Sequence, residues 1–276
     1  MKRFIFIFII SFISNINAYV PPFRYWHCIN FMKEIDISKP YYFNVGELHF
    51  KTSFNKSIPN TIIKNMKNNV FGSTIIYDDK LWWSYNPIIK HPPRTPFKTN
   101  KDFETTSFMI NTNTNFKNCI LNLFDINNLH DIYENMIGNI PQKNGHKYTN
   151  FSNGLTLVHK YELKNRIRLF QKNWRDIEIF QTFNYPYNSN IIVYLDKNDI
   201  VVININLLPV YINETKVFVT IKHNFWKSYL YKQNINYIIK FCLNRMEKQQ
   251  GIITNNEEYS NHITEMYKRY NESFIK

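Results

Sequence analysis

The sequence predicts an α+β protein in two parts: a small β domain, then an antiparallel sheet closed by a long C-terminal helix. Three observations carry that expectation. Short alternating runs separated by turn residues fill positions 41–85. Five longer runs with a hydrophobic period of two occupy positions 154–223. After Asn224 the period lengthens to that of a helix.

A chain of 276 residues with 44% apolar content can bury a sizeable core in one or two domains. The aromatic share of 17% suits a deep apolar pocket as well as an ordinary core. Ile, Asn and Lys are abundant throughout, as AT-rich codon usage would make them, so the net charge of +13 says little about partners. Lys and Arg are scattered without a dense run, which argues against nucleic acid as a partner. The same charge suits an acidic membrane surface or an acidic redox partner. Cys28, Cys119 and Cys242 stand far apart and form no C-x-x-C or C-x-H. They write no zinc or cluster motif, and their odd number argues against a disulfide framework. No G-x-S-x-G elbow, G-x-G-x-x-G or P-loop occurs among six glycines.

Lys2-Arg3, the apolar run Phe4 to Ile13, and Ser14 to Ala18 are the three parts of a secretory signal. The run is short for a membrane span, so cleavage after Ala18 is expected, with an uncleaved anchor as the other reading. An aromatic residue at the new start, Tyr19, resembles the two-part leaders of complex plastids. Secretory-pathway or plastid-type targeting follows.

In the small domain, Pro40 and Gly46 bracket a strand over Tyr41 to Val45. Ser73 to Tyr77 and Leu81 to Tyr85 flank Asp78-Asp79-Lys80 as a hairpin. Positions 50–70 contain no cysteine and no histidine, and His49 is the imidazole nearest to them. Ile88 to Pro96 is an extended linker in which His91 is solvated.

The second part opens with Asp102 to Met109 and a helix from Cys119 to Asn135. Ile120, Leu123, Phe124 and Asn127 share one face of it, and Asp125 lies beside that stripe. A carboxylate there needs a partner or a metal; the alternative is a side chain that caps its own helix end. Positions 136–151, with Gly138, Pro141 and Gly145, read as a loop roofing a pocket, with His146 exposed. His159 and His223 read as satisfied histidines on strands. Trp226 to Gln250 forms the long helix, stopped by Gly251, and a weaker helix spans Glu257 to Phe274. A sheet gripping a long helix leaves an apolar pocket between them.

The segment Leu123-Phe-Asp125-Ile-Asn-Asn128-Leu-His130-Asp131-Ile-Tyr133 resembles the iron-binding helix of Rieske-type non-haem iron oxygenases, nearest the pheophorbide a oxygenase-like branch. Trp26, Asp36-Ile-Ser-Lys-Pro40 and Trp82-Trp-Ser-Tyr-Asn-Pro87 resemble the opening and closing segments of a Rieske domain. In that family D-x-x-H-x-x-x-x-H and a later carboxylate hold Fe(II) in a facial triad. Asp125 matches the helix aspartate and is the candidate catalytic residue. The two histidine positions fall on Asn128 and Tyr133, and His130 is out of register by two. The metal site is therefore either rebuilt around Asp125, His130 and Asp131, or lost. Glu247 is the acid that matches the late carboxylate.

The resemblance implies a targeting segment (1–18), a truncated Rieske-like β domain with its linker (19–97) and a helix-grip (START-like) catalytic-type domain (98–276). It implies an oxidoreductase acting with Fe(II) on a hydrophobic aromatic or pigment-like substrate. The [2Fe–2S] cluster is expected to be absent, because its C-x-H and C-x-x-H loops are missing. Two other readings stand beside it: a non-catalytic protein that binds a hydrophobic small molecule, and a subunit partnering an intact oxygenase or an electron donor.

Overall fold

The structure is a computed structural model that describes residues 25–46, 48–54, 64–65, 72–85, 90–93, 103–124, 146–151, 154–169, 172–195 and 199–224, with positions 261, 264 and 265. The first part holds β1 (His27–Phe31), β2 (Tyr41–Val45), β3 (Leu48–Thr52), β4 (Lys64–Asn65), β5 (Ser73–Tyr77) and β6 (Lys80–Ser84). The second holds β7 (Glu104–Thr112), α1 (Phe116–Phe124), β8 (His146–Phe151), β9 (Gly154–Leu169), β10 (Lys172–Asn184), β11 (Asn188–Tyr194), β12 (Ile200–Tyr211) and β13 (Glu214–His223). The described chain is thus mostly β, with α1 as its one helical element of more than a single 3-10 turn. No helix among the described residues is long and apolar enough to cross a membrane.

Two small antiparallel sheets, β1-β6-β5 and β2-β3-β4, make up the first part. The β5–β6 hairpin turns on Asp78 and Asp79, both at positive φ (51° and 57°), the left-handed pair that a two-residue turn between twisted strands requires. Gly46, at φ 59°, turns the chain from β2 towards β3 and donates its N–H to Pro209 O at 2.8 Å. Asp36 explains its own motif: its Oδ1 accepts the Ser38 N–H at 3.0 Å, an Asx-type turn. The Ser38 hydrogen bonds hold this exposed carboxyl below the usual carboxylate range.

The second part is a seven-stranded antiparallel sheet in the order β7-β13-β12-β11-β10-β9-β8. The expected five strands are its centre, and two more extend it. β7 pairs along β13 from Thr112↔Thr215 to Glu104↔His223. β8 pairs with β9 at the far edge and corrects the expected loop over positions 136–151, whose last six residues are strand. The cluster of Gly138, Pro141 and Gly145 upstream masked a weak alternation at positions 146–151.

Both faces of this sheet are covered at β12 and β13. Leu155, Leu157, Ile179, Phe183, Ile191, Ile205, Leu207, Val217, Val219 and Ile221 form one core with Phe116, Ile120, Leu121 and Leu123 of α1. On the reverse face, Leu208, Val210 and Phe218 enter a second core with Trp26, Phe31, Phe43, Phe50, Trp82 and Trp83 of the first part. Successive residues of a strand point to opposite faces, so β12 and β13 supply both cores at once. That is why β12 and β13 are buried along most of their length rather than at alternate positions. The expected closing helix, positions 226–250, and most of 257–274 lie outside the described residues; Asn261, Thr264 and Glu265 are helical.

Candidate functional site

The α1 face of the sheet is built from local sequence upward. Asn115 caps the helix: its Oδ1 accepts the Asn118 N–H at 2.9 Å. Phe116, Ile120 and Leu123 point into the sheet core. At the other end, Gln181 of β10, almost fully buried, donates to Leu123 O at 2.8 Å and satisfies one of the carbonyls a helix end leaves open. Asp125 is the second residue after Leu123 in the chain. The same face carries Ser189, whose buried Oγ has no hydrogen-bond partner among the described residues. It is therefore an apolar layer holding one anchored amide and one buried hydroxyl.

The reverse face carries a closed polar ring. Asn204 Nδ2 donates to Asn190 Oδ1 (2.7 Å), Asn190 to Asn188 (2.9 Å), Asn188 to Asn206 (2.8 Å), and Asn206 back to Asn204 (2.7 Å). The ring forms because Asn188↔Asn206 and Asn190↔Asn204 are directly opposed on β11 and β12. All four are buried, and each amide donates one N–H to the oxygen of the next. Lys80, 1% exposed, reaches across from the small domain and donates to Asn204 Oδ1 at 3.0 Å. Asp78 lies 3.7 Å from both Lys80 and Lys222. Burial lowers the Lys80 pKa, opposed by the negative charge of Asp78 and by a Cys28 thiolate were it to form. Burial pushes the neighbouring Cys28 thiol up to about 12, so it stays protonated at neutral pH.

Where the two parts meet, a cavity of about 370 Å³ is lined by Tyr25, Trp26 and Cys28, the linker residues 91–93, the turn 184–188, Trp82 and Asn206. His91, solvated as expected, lies on its rim. His27 is buried between the rings of Trp83 (5.6 Å) and Tyr187 (4.8 Å). His49 is exposed and shares a hydrogen bond with Asn44 at 2.8 Å. His223 is buried on β13, as a sheet histidine should be. The sequence-predicted site residues Asp125, His130, Asp131 and Glu247 all lie outside the described residues. Among the described residues no three His, Cys, Asp or Glu side chains come together as a metal-binding group.

This arrangement, a small β part packed on the back of a seven-stranded antiparallel sheet with a short helix on its front, resembles the fold of several solved structures. Solved structures with this fold include the NdmA QL mutant of Pseudomonas putida CBB5 with caffeine, at TM-score 0.64 and 10% identity over 88% of each chain. NdmB of the same organism superimposes at TM-score 0.63 and 11% identity over 85% of this chain and 82% of that one. Dicamba monooxygenase bound to dicamba does so at 0.63 and 10%, over 92% and 99%. At such identities the likeness is one of fold. No family model matches the sequence, and no curated protein matches it.

A Rieske cluster takes two thiolates and two imidazoles. Residues 19–97 contain Cys28 as their one cysteine, and that thiol is buried and held protonated. Among the described residues the core of the first part is built of aromatic rings: Phe43 on Phe50 at 5.3 Å, and Phe50 on Trp83 at 4.4 Å. These residues do not fit a [2Fe–2S] cluster.

Proposed function

We propose that the protein is a divergent oxygenase-fold protein that binds a hydrophobic aromatic or pigment-like molecule between the sheet and the segment after Asn224, without a cluster of its own to deliver electrons. The observation that carries this reading is the pairing of an intact apolar layer at α1 with a small domain whose interior is an aromatic core around one protonated thiol. In this reading the sheet and the segment after Asn224 form a helix-grip domain, and the parts divide near residue 97. Ser189 and Gln181 orient the polar end of the ligand, and the apolar layer excludes water around it. Asp125, His130, Asp131 and Glu247 are the residues that would hold Fe(II), whose chemistry when bound is oxygen activation.

The test is to load the purified chain with iron and sulfide anaerobically and to measure bound iron and the rhombic cluster signal. The expected result is no cluster signal, with iron bound only if Asp125 and its companions form a site. Asp125→Asn would then remove that iron. A stoichiometric rhombic signal from the chain alone would overturn the reading.

A further inference from the structure

The cavity behind the sheet lies against the asparagine ring, not in the layer that α1 covers, and its chemistry is specific. Its walls are aromatic: Tyr25 meets Tyr185 edge to face at 5.8 Å across the junction of the two parts, and Trp26 and Trp82 are also in the lining. Its polar surface is amide. Asn188 and Asn206, each 2% exposed, line it. A primary amide has two N–H donors and the ring consumes one from each. Each therefore retains one N–H at the cavity wall on a residue almost wholly buried, where an unanswered donor is unfavourable. The volume of about 370 Å³ falls within the range of roughly 300–1,000 Å³ that small-molecule pockets occupy. The charges of Asp78, Lys80 and Lys222 belong to a separate ion-paired group and do not line the cavity.

We propose that this cavity is a second small-molecule site, which takes a planar aromatic compound with a carbonyl acceptor on its edge. Flat walls select a flat ring. The two amide N–H groups select an acceptor and leave a purely hydrocarbon ring without compensation for their burial. The site is distinct from the apolar layer of the proposed function, and neither depends on the other.

The probe is coumarin, a planar bicycle with a ring carbonyl, compared with 2H-chromene, the same bicycle with CH₂ in place of that carbonyl. Calorimetric titration of the full chain is expected to give one site for coumarin and at least tenfold weaker binding of 2H-chromene. Tyr25→Ala removes one wall while leaving the ring and both cores in place, and is expected to weaken coumarin at least fivefold. A diazirine-bearing coumarin is expected to label residues 25–28 or 91–93 on irradiation of the wild-type chain. Equal affinity for the two bicycles, unchanged binding by the Tyr25→Ala chain, or labelling confined to residues 116–124 would each overturn the assignment.

Discussion

Asn204→Leu tests whether the closed ring holds the two halves of the protein together. The substitution keeps the side-chain size but removes three hydrogen bonds: to Asn190 Oδ1, from Asn206 Nδ2 and from Lys80 Nζ. All three partners are buried, and Lys80 is left with Asp78 at 3.7 Å. A buried polar group stripped of its partner costs about 1–3 kcal/mol, so three of them, offset partly by the leucine's apolar burial, amount to roughly 3–6 kcal/mol. Lys80→Met provides the contrast. Asn206 still donates to Asn204, and Asp78 keeps Lys222, so no buried group is orphaned. Removing one member of a buried ion pair is costly where the other is left unpaired, and Asp78, partly exposed and still beside Lys222, is not, so a change within about 1 kcal/mol is expected. Guanidinium unfolding followed by tryptophan fluorescence measures both, with the midpoint compared at constant slope. If Asn204→Leu loses less than about 1 kcal/mol, or Lys80→Met loses as much as Asn204→Leu, the ring is not the fastening element described here.

Three further outcomes are expected. Gly72→Ala would drive a methyl group into Trp83, with Cε2 at 2.7 Å, and against the Ser84 carbonyl at 2.9 Å; overpacking of this kind costs about 1–3 kcal/mol, read as a fall in the unfolding midpoint. Asp79→Gly relieves the positive φ of an exposed turn residue whose carbonyl accepts the Met32 N–H at 2.9 Å, a bond the glycine keeps, and a gain of about 0.5–1 kcal/mol is expected in the same assay. Cys28 binds its proton more tightly folded than unfolded, its pKa rising from 9.0 to about 12. Its stabilising contribution is therefore full below pH 9 and declines as pH rises towards 12, by at most about 1.4 kcal/mol per pH unit. The difference in stability between wild type and Cys28→Ala should shrink over that interval, while a thiol reagent at pH 8 should modify Cys28 only after denaturant is added; a flat difference would contradict the burial.

Much of the fold was legible because its strongest signals are local. Pro40 and Gly46 fixed the ends of β2, and Asp78-Asp79 announced the β5–β6 turn. The alternation of Val217, Val219 and Ile221 against Phe218 and Thr220 marked β13. The asparagine ring is non-local. The asparagines of Asn188-Ser-Asn190 and Asn204-Ile-Asn206 look like codon bias in an Asn-rich chain. Their matched spacing of two on adjacent strands was the available clue, but it has meaning only once the register opposes them. The polar residues of β12 suggest a solvated face, and only the small domain packed upon them makes that face interior. For the resemblance to oxygenases the position is reversed. Short aromatic and acidic segments pointed to a fold that the structure shares with solved structures at 10% identity, while Asp125, His130, Asp131 and Glu247 lie beyond the described residues.

Because β12 and β13 furnish interior to both layers, the second half of the chain has no finished back of its own. Cutting at the linker would expose Leu208, Val210 and Phe218 to water together with the four-amide circuit. An excised C-terminal piece should therefore be a sticky, poorly soluble fragment, and swapping in a foreign front domain would require the newcomer to match that back wall side chain by side chain.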